Sequence, residues 1–217
     1  MIWDWQFAWK ILPDLAKAAQ ITFLVTLAGF VTSLFGGLIL LFFRMSKRAW
    51  VSRPITWLVD FIRGTPLLVQ VFVIYYVAPD YGLRLGPFET GILALGLHYS
   101  CYMSETYRGA FEAIGRGQWE AARALGLNPV RTFQKVVWPQ MWPVVVPIGG
   151  SYLVYMFKDT PILAAITVRE LMQVSSQIGA DNFRYMEPLT LVGTFFLLMS
   201  LSAAYLTRVI ERKVAIR

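Results

Sequence analysis

The sequence predicts an all-α integral membrane protein with five transmembrane helices, and three observations carry that expectation. Of 217 residues, 57% are hydrophobic and 15% charged, with a mean hydropathy of +0.54, against about 45 to 50% apolar and about 25% charged in soluble domains. Five long stretches contain no Asp, Glu, Lys or Arg. The basic residues cluster at the ends of those stretches, which is how membrane proteins are oriented. That clustering also excludes a nucleic-acid partner as the meaning of the +7 net charge, since such a partner needs a basic patch on a soluble domain. Fifteen Phe, eight Trp and ten Tyr are incompatible with a disordered chain. A single Cys and a single His leave no internal disulfide, no cysteine metal cage and no motif built on two histidines, so no metal site is expected.

The charge-free stretches are residues 18–43, 64–79, 90–104, 136–157 and 188–207. A span takes roughly 17 to 25 residues, so the first, fourth and fifth cross unaided, and the other two borrow from their flanks. The second is preceded by a segment in which Asp60 and Arg63, three apart, can pair on a helix face. The expected spans are therefore 18–43, 58–79, 89–108, 138–157 and 188–208, in one domain over residues 1–217.

With the N-terminus outside, 14 of the 20 basic residues, among them Arg44, Arg63, Arg108, Arg123, Arg208 and Arg217, fall on the inner face. This bias predicts N-out, C-in. The start Met1-Ile2-Trp3-Asp4-Trp5 has no basic n-region, so no signal peptide is expected. Trp3, Trp5 and Trp9 read as interfacial anchors at the outer end.

Between the third and fourth spans lies an inner polar loop, 112–137. Its first half, 115–126, is a helix closed by a glycine signal at Gly126. Asn128-Pro129 starts a second helix, making a helix-turn-helix on the cytoplasmic face. The outer stretch 158–187 shows a helix-like period at Ile166, Leu171, Met172 and Val174.

In that inner loop Glu120-Ala121-Ala122 is followed after three residues by Gly126, and after nine more by Val136-Val137-Trp138-Pro139. The pattern resembles the signature of permease subunits of ATP-binding-cassette importers, with Val136 and Trp138 standing where the family has Ile and Leu. The segments 60–70 and 157–161 narrow the resemblance to the polar amino-acid subfamily. The segments 96–100, 158–168 and 182–190 look most like permeases of ectoine and hydroxyectoine uptake. The resemblance runs over residues 21–211 and implies the type I importer permease (MetI-like) fold with a cytoplasmic coupling helix. It also implies a second permease, identical or, as in the ectoine systems, different; two ATPase subunits; an external binding protein; and a place in the bacterial inner membrane. The expected solute is a small zwitterion, ectoine or hydroxyectoine first and polar amino acids as the alternative.

Several residues carry these expectations. Glu120, Ala121, Ala122, Gly126 and Pro139 would couple to the ATPase, against the alternative of a solvated amphipathic loop. Gly126 fits either a positive φ or a close helix approach. Lys158, Asp159 and Thr160 either present a cation and an anion to a zwitterion on its path or form an internal pair capping the fourth span. His98 and Tyr99 either line the path or are satisfied by a neighbouring helix, since polar groups in hydrocarbon are costly. Glu105 is expected to pair with Arg108. Gly64, Thr65 and Pro66 are either a hinge or a helix start. The chain has no Gly-x-x-x-x-Gly-Lys-Ser/Thr loop, so ATP and Mg would be bound by the partner. No paired catalytic constellation shares a span, which disfavours an intramembrane enzyme. A passive channel would leave the inner loop's pattern without a purpose.

Overall fold

The computed structural model describes residues 3–215 and is all-helical over them. Met1, Ile2 and Arg217, which entered the leader and charge expectations, lie outside the described residues. Nine α-helices follow one another: α1 Trp5–Arg44, α2 Ala49–Arg63, α3 Leu67–Phe72, α4 Pro87–Glu112, α5 Arg116–Ala124, α6 Pro129–Thr132, α7 Trp138–Asp159, α8 Leu171–Asn182 and α9 Met186–Ala215.

Helix α1 starts 13 residues before the expected span. The Asp4 carboxylate caps it by accepting from the N–H groups of Gln6 and Phe7 at 2.9 and 3.1 Å. Trp5 and Trp9, both 68% exposed, stand on this extension.

The second expected span is not one helix. Helix α2 ends at Arg63, and the segment Leu67–Tyr81 leaves it at a bend of 108°. The break follows from Thr65-Pro66: Pro66 has no N–H to donate and bars Thr65 from helical backbone. Gln70 stabilises the bend, its amide nitrogen donating to the carbonyl oxygens of Ile62 (2.8 Å) and Thr65 (3.1 Å) and to the Thr65 hydroxyl (2.9 Å). Residues 58–63 thus belong to a different direction from 67–79. Nor do Asp60 and Arg63 pair. Arg63 reaches instead to Glu105 on α4 at 3.6 Å, stacking over the Tyr102 ring on the way.

By length and composition two helices are apolar enough to cross a membrane, Trp5–Arg44 and Met186–Val214, and the bent pair makes a third. Helices α4 and α7 have the length, at 26 and 22 residues. Their polar and proline-rich sequences, with His98, Glu105 and Arg108 in α4 and Pro139, Gln140, Pro143 and Pro147 in α7, keep their hydropathy below that of a lipid-immersed span. Length and composition alone therefore leave the five-span count open.

The architecture rests on α1 lying along α4. Thr22, Thr26, Gly29, Ser33 and Gly37 form the buried face of α1, against Ala94, Leu95, Ser100, Met103 and Ser104 of α4. Small residues let the backbones approach closely in the absence of a hydrophobic drive between membrane helices. The hydroxyls return their hydrogen bonds to their own helix, as Thr26 does to Thr22 O (2.8 Å) and Ser100 to Gly96 O (2.6 Å), so none needs water.

Apolar layers stack along this axis. Ile11, Leu15, Leu171, Val174 and Val192 form one at the N-terminal end of α1. Val25, Leu95, Met156, Leu163 and Ile166 form the middle, and Leu41, Met103, Tyr107, Val137 and Met141 the opposite end. The stretch 158–187 resolves into a 3₁₀ segment Thr160–Ile166 followed by α8, so Ile166 and Leu171 are buried from separate elements rather than one helix. Large apolar side chains remain exposed on α1 (Phe35, Ile39) and α9 (Leu197, Leu198, Leu201), surface of the kind that faces lipid or another subunit.

Candidate functional site

The third and fourth expected spans, α4 and α7, converge on a cavity of about 390 Å³ lined by His98, Tyr99, Tyr102, Tyr152, Tyr155, Lys158 and Asp159. Four of the five expected path residues line it; Thr160 does not. The Thr160 side chain is buried and bonded to Phe157 O at 2.8 Å, where it stabilises the turn after α7.

Within the cavity the Tyr99 hydroxyl donates to Asp159 Oδ2 at 2.6 Å, joining α4 to α7. Lys158 and Asp159 do not pair with each other, and neither has an ion-pair partner among the described residues. Of the two expectations for these charges, the internal capping pair is the one the geometry rejects.

The His98 ring lines the cavity, and a neighbouring helix satisfies it: its Nδ1 lies 3.0 Å from Gln70 Oε1 on α3. Because the Gln70 amide nitrogen is committed to the carbonyls of Ile62 and Thr65, its oxygen is left to accept, and Nδ1 of His98 is assigned as the donor. In the neutral ring that leaves Nε2 as an acceptor.

Rings close the walls. His98 and Tyr102 lie 5.1 Å apart, Tyr99 and Tyr152 5.9 Å, and Tyr102 and Tyr152 5.9 Å between centroids. Such faces attract a cationic ammonium as well as apolar atoms. An exposed cation, a carboxylate, an acceptor nitrogen and four tyrosines suit a small solute bearing both signs of charge.

Gln70, Tyr102, Tyr152 and Tyr155 were not singled out from sequence. The tyrosines had a signal, two pairs three apart, at 99/102 and 152/155, each placing polar rings on one face of a buried helix. Gln70 had none, since its partners come together only through the bend.

Beside the cavity, Glu105 binds Arg108, as expected, at 2.9 Å, and also Arg44 at 2.6 Å and Arg63 at 3.6 Å. It ties the C-terminal ends of α1 and α2 to α4. Gly64, Thr65 and Pro66 form the break beside this cluster, with Gly64 capping the end of α2 and Pro66 the start of α3, so the segment is both a bend and a helix start.

The residues expected to couple to an ATPase lie at the far end. Ala122 is buried, while Glu120, Ala121, Gly126 and Pro139 are exposed. After α5 the N–H of Leu127 donates to Ala122 O (3.0 Å) and that of Gly126 to Arg123 O (2.9 Å). This is a Schellman ending, and Gly126 has the φ of +70° that it requires. A Cβ at Gly126 would meet nothing within 4 Å, so of the two expectations the positive φ holds and the close approach does not.

Leu125, 77% exposed, stands on the same turn with Val130. Asn128 accepts from Arg131 N–H at 2.8 Å and starts α6, which continues through a π turn at Phe133–Val137 directly into α7. The second helix of the expected helix-turn-helix is thus the extension of α7 itself. Gln140 donates to Gln118 at 3.1 Å and fastens α5 to that rod. From Pro129 to Asp159 it is one helical path of about 45 Å, with the turn at one end and the cavity at the other.

Comparison with known proteins agrees with this architecture. Residues 29–216 match the family described as binding-protein-dependent transport system inner membrane component. The chain is 41% identical to "Probable amino-acid ABC transporter permease protein y4tG" of Sinorhizobium fredii, over 94% of this chain and 89% of that one. It is 32% identical to the glutamine transport system permease protein GlnP of Escherichia coli (strain K12), over the full length of both. A crystal structure of an amino acid ABC transporter with histidines superposes with a TM-score of 0.90 at 28% identity, covering 98% of this chain and 100% of that one. An inward-facing MetNI methionine ABC transporter shares the fold at a TM-score of 0.75 and 21% identity, over 98% and 99%. Ectoine is named in none of these, and the expectation of an ectoine permease finds no support in them; the amino-acid alternative is the one they favour. With its all-helical fold and a match over most of its length, the chain belongs to the family of inner-membrane components of binding-protein-dependent transport systems.

Proposed function

We propose that this chain is the transmembrane permease of an ATP-driven importer of a polar amino acid. The observation that carries the reading is the α4–α7 cavity, where Lys158 and Asp159 are unpaired among the described residues and flanked by His98 and tyrosines. A zwitterionic amino acid offers its carboxylate to the Lys158 ammonium and its own ammonium to Asp159 and the ring faces. Relatives named for amino-acid, cystine and glutamine transport support the solute class.

In this reading the chain crosses the inner membrane five times, N-out and C-in, with α2 lying along the inner interface as an amphipathic helix. An ATPase dimer receives the turn at Glu120, Ala121 and Gly126, with exposed Leu125 as the apolar knob. Closure of the ATPases displaces α5; Gln118–Gln140 and the α6–α7 rod carry that displacement to Lys158 and Asp159, opening and closing the cavity around a second, non-identical permease. An external binding protein delivers the solute, and ATP and Mg stay with the ATPases.

Uptake of labelled glutamine, arginine, histidine and ectoine into proteoliposomes of the assembled transporter with its binding protein tests this. Concentrative, ATP-dependent uptake of an amino acid is expected. ATP-independent equilibration would make the chain a channel, and accumulation of ectoine alone would return the solute to the other zwitterion.

A further inference from the structure

A second cavity, about 300 Å³, lies between α7 and α9, lined by Pro147, Gly150, Ser151, Val154, Tyr155, Ala204, Thr207, Arg208 and Glu211. It shares Tyr155 with the first cavity. On α7 the residues Pro147, Ser151, Tyr155 and Asp159 follow one another at intervals of four, which places them in one stripe along a single helix face. The two cavities therefore sit one above the other along about 18 Å of the same helix, with the Tyr155 side chain between them.

The chemistry of the upper cavity is repeated below. Arg208 and Glu211 lie three apart on α9, a spacing that allows an ion pair. They do not form one, and neither pairs with any other described residue. A cation and an anion thus stand open side by side, as Lys158 and Asp159 do. A Cβ at Gly150 would collide with the Thr207 side chain, so the helices already touch at that glycine and the cavity opens beside the contact. Its volume is at the lower end of the range for small-molecule sites.

We propose that this cavity is a second binding station for the transported zwitterion, on the cytoplasmic side of the first, with Arg208 receiving the carboxylate, Glu211 the ammonium, and Tyr155 separating the two stations. The solute moves down the α7 stripe from one pair of charges to the next rather than being released from the first directly into water. This rests on the amino-acid permease reading above.

The test uses the assembled transporter in nanodiscs without ATP. Ser151→Cys places a thiol in the lower cavity, and the native Cys101 is buried. Its alkylation by a charged maleimide is timed with and without L-glutamine, L-arginine or ectoine. An amino acid at several times its Kd should slow the reaction about fivefold. That protection should disappear with Arg208→Gln and survive Lys158→Gln. If Ser151→Cys fails to assemble, Val154→Cys in the same cavity replaces it. Alkylation unchanged by every zwitterion, or protection that persists in Arg208→Gln, overturns the station. Protection by ectoine and by no amino acid upholds the station and overturns the amino-acid reading instead.

Discussion

The Tyr99 hydroxyl donates a 2.6 Å hydrogen bond to the Asp159 carboxylate, and Asp159 has no cationic partner among the described residues. A carboxylate held by one neutral donor is positioned without being neutralised, which is the condition for receiving a substrate ammonium. Asp159→Asn keeps an oxygen for Tyr99 but removes the charge, and should lower amino-acid uptake about tenfold or more. Tyr99→Phe leaves the charge in place and loses only its positioning, and should have the smaller effect. Initial uptake rates against solute concentration decide the order. An Asp159→Asn transporter as active as the wild type ends the role of Asp159 in solute binding.

Gly126 combines a φ of +70° with open space around its missing Cβ. Within the chain a side chain there meets only backbone strain, about 1 kcal/mol for a residue such as Ala and less for Asn or Asp, which visit the left-handed region more readily. Gly126→Asp should therefore fold and reach the membrane in normal amount. It should nonetheless abolish uptake and the stimulation of ATPase activity by loaded binding protein, because the added carboxylate intrudes on whatever docks at the turn. Membrane abundance by immunoblot, uptake and ATPase rate are measured together; normal uptake would remove Gly126 from the coupling surface.

Gln70 closes the 108° bend and fixes His98 in the same stroke. Gln70→Leu leaves the Thr65 carbonyl and His98 Nδ1 short of a partner, while the Ile62 carbonyl keeps the Thr65 hydroxyl, and an unsatisfied group costs about 1 to 3 kcal/mol when buried. The thermal midpoint in detergent should drop by several degrees, while Gln70→Glu, which can still accept from His98 but no longer donate, should fall between that variant and wild type. Equal midpoints for all three would mean that the bend is held by Pro66 alone.

What was legible in the residues divides along a physical line. Local rules reached the helix of α5, its glycine ending and the Asn128-Pro129 start, because capping depends on neighbours in the chain. The Glu105–Arg108 pair was legible for the same reason, three residues apart on one helix. The Arg63–Glu105 contact was not legible, and an Asp60 pair was expected instead, because the contact depends on the C-terminal end of α2 meeting the side of α4. The straight second span fails for a related reason: apolar content runs on through Thr65-Pro66, but the backbone restriction there outweighs hydropathy. In the cavity, Lys158 and Asp159 were readable as charges at the end of a span, but that they remain apart from each other is a tertiary fact.

Glu170 is fully buried, caps α8 by accepting from Gln173 N–H at 2.7 Å, and has its second oxygen without a partner. Burial pushes its carboxyl up to about 7, against the opposing pull of the Met172 and Gln173 backbone N–H groups. In the unfolded chain a glutamate titrates near about 4.3. The folded state therefore prefers the protonated form. The stabilising contribution is complete below the unfolded value and is lost as pH rises through the folded one. The thermal midpoint of the wild type should consequently decline between pH 5 and pH 8, by an amount corresponding to a few kcal/mol at most. Glu170→Gln presents the same capping oxygen with no charge to bury, so its midpoint should be level across that interval and higher than wild type at pH 8. Parallel pH profiles for the two proteins would show that the Glu170 carboxylate is already ionised in the fold and that the decline has another source.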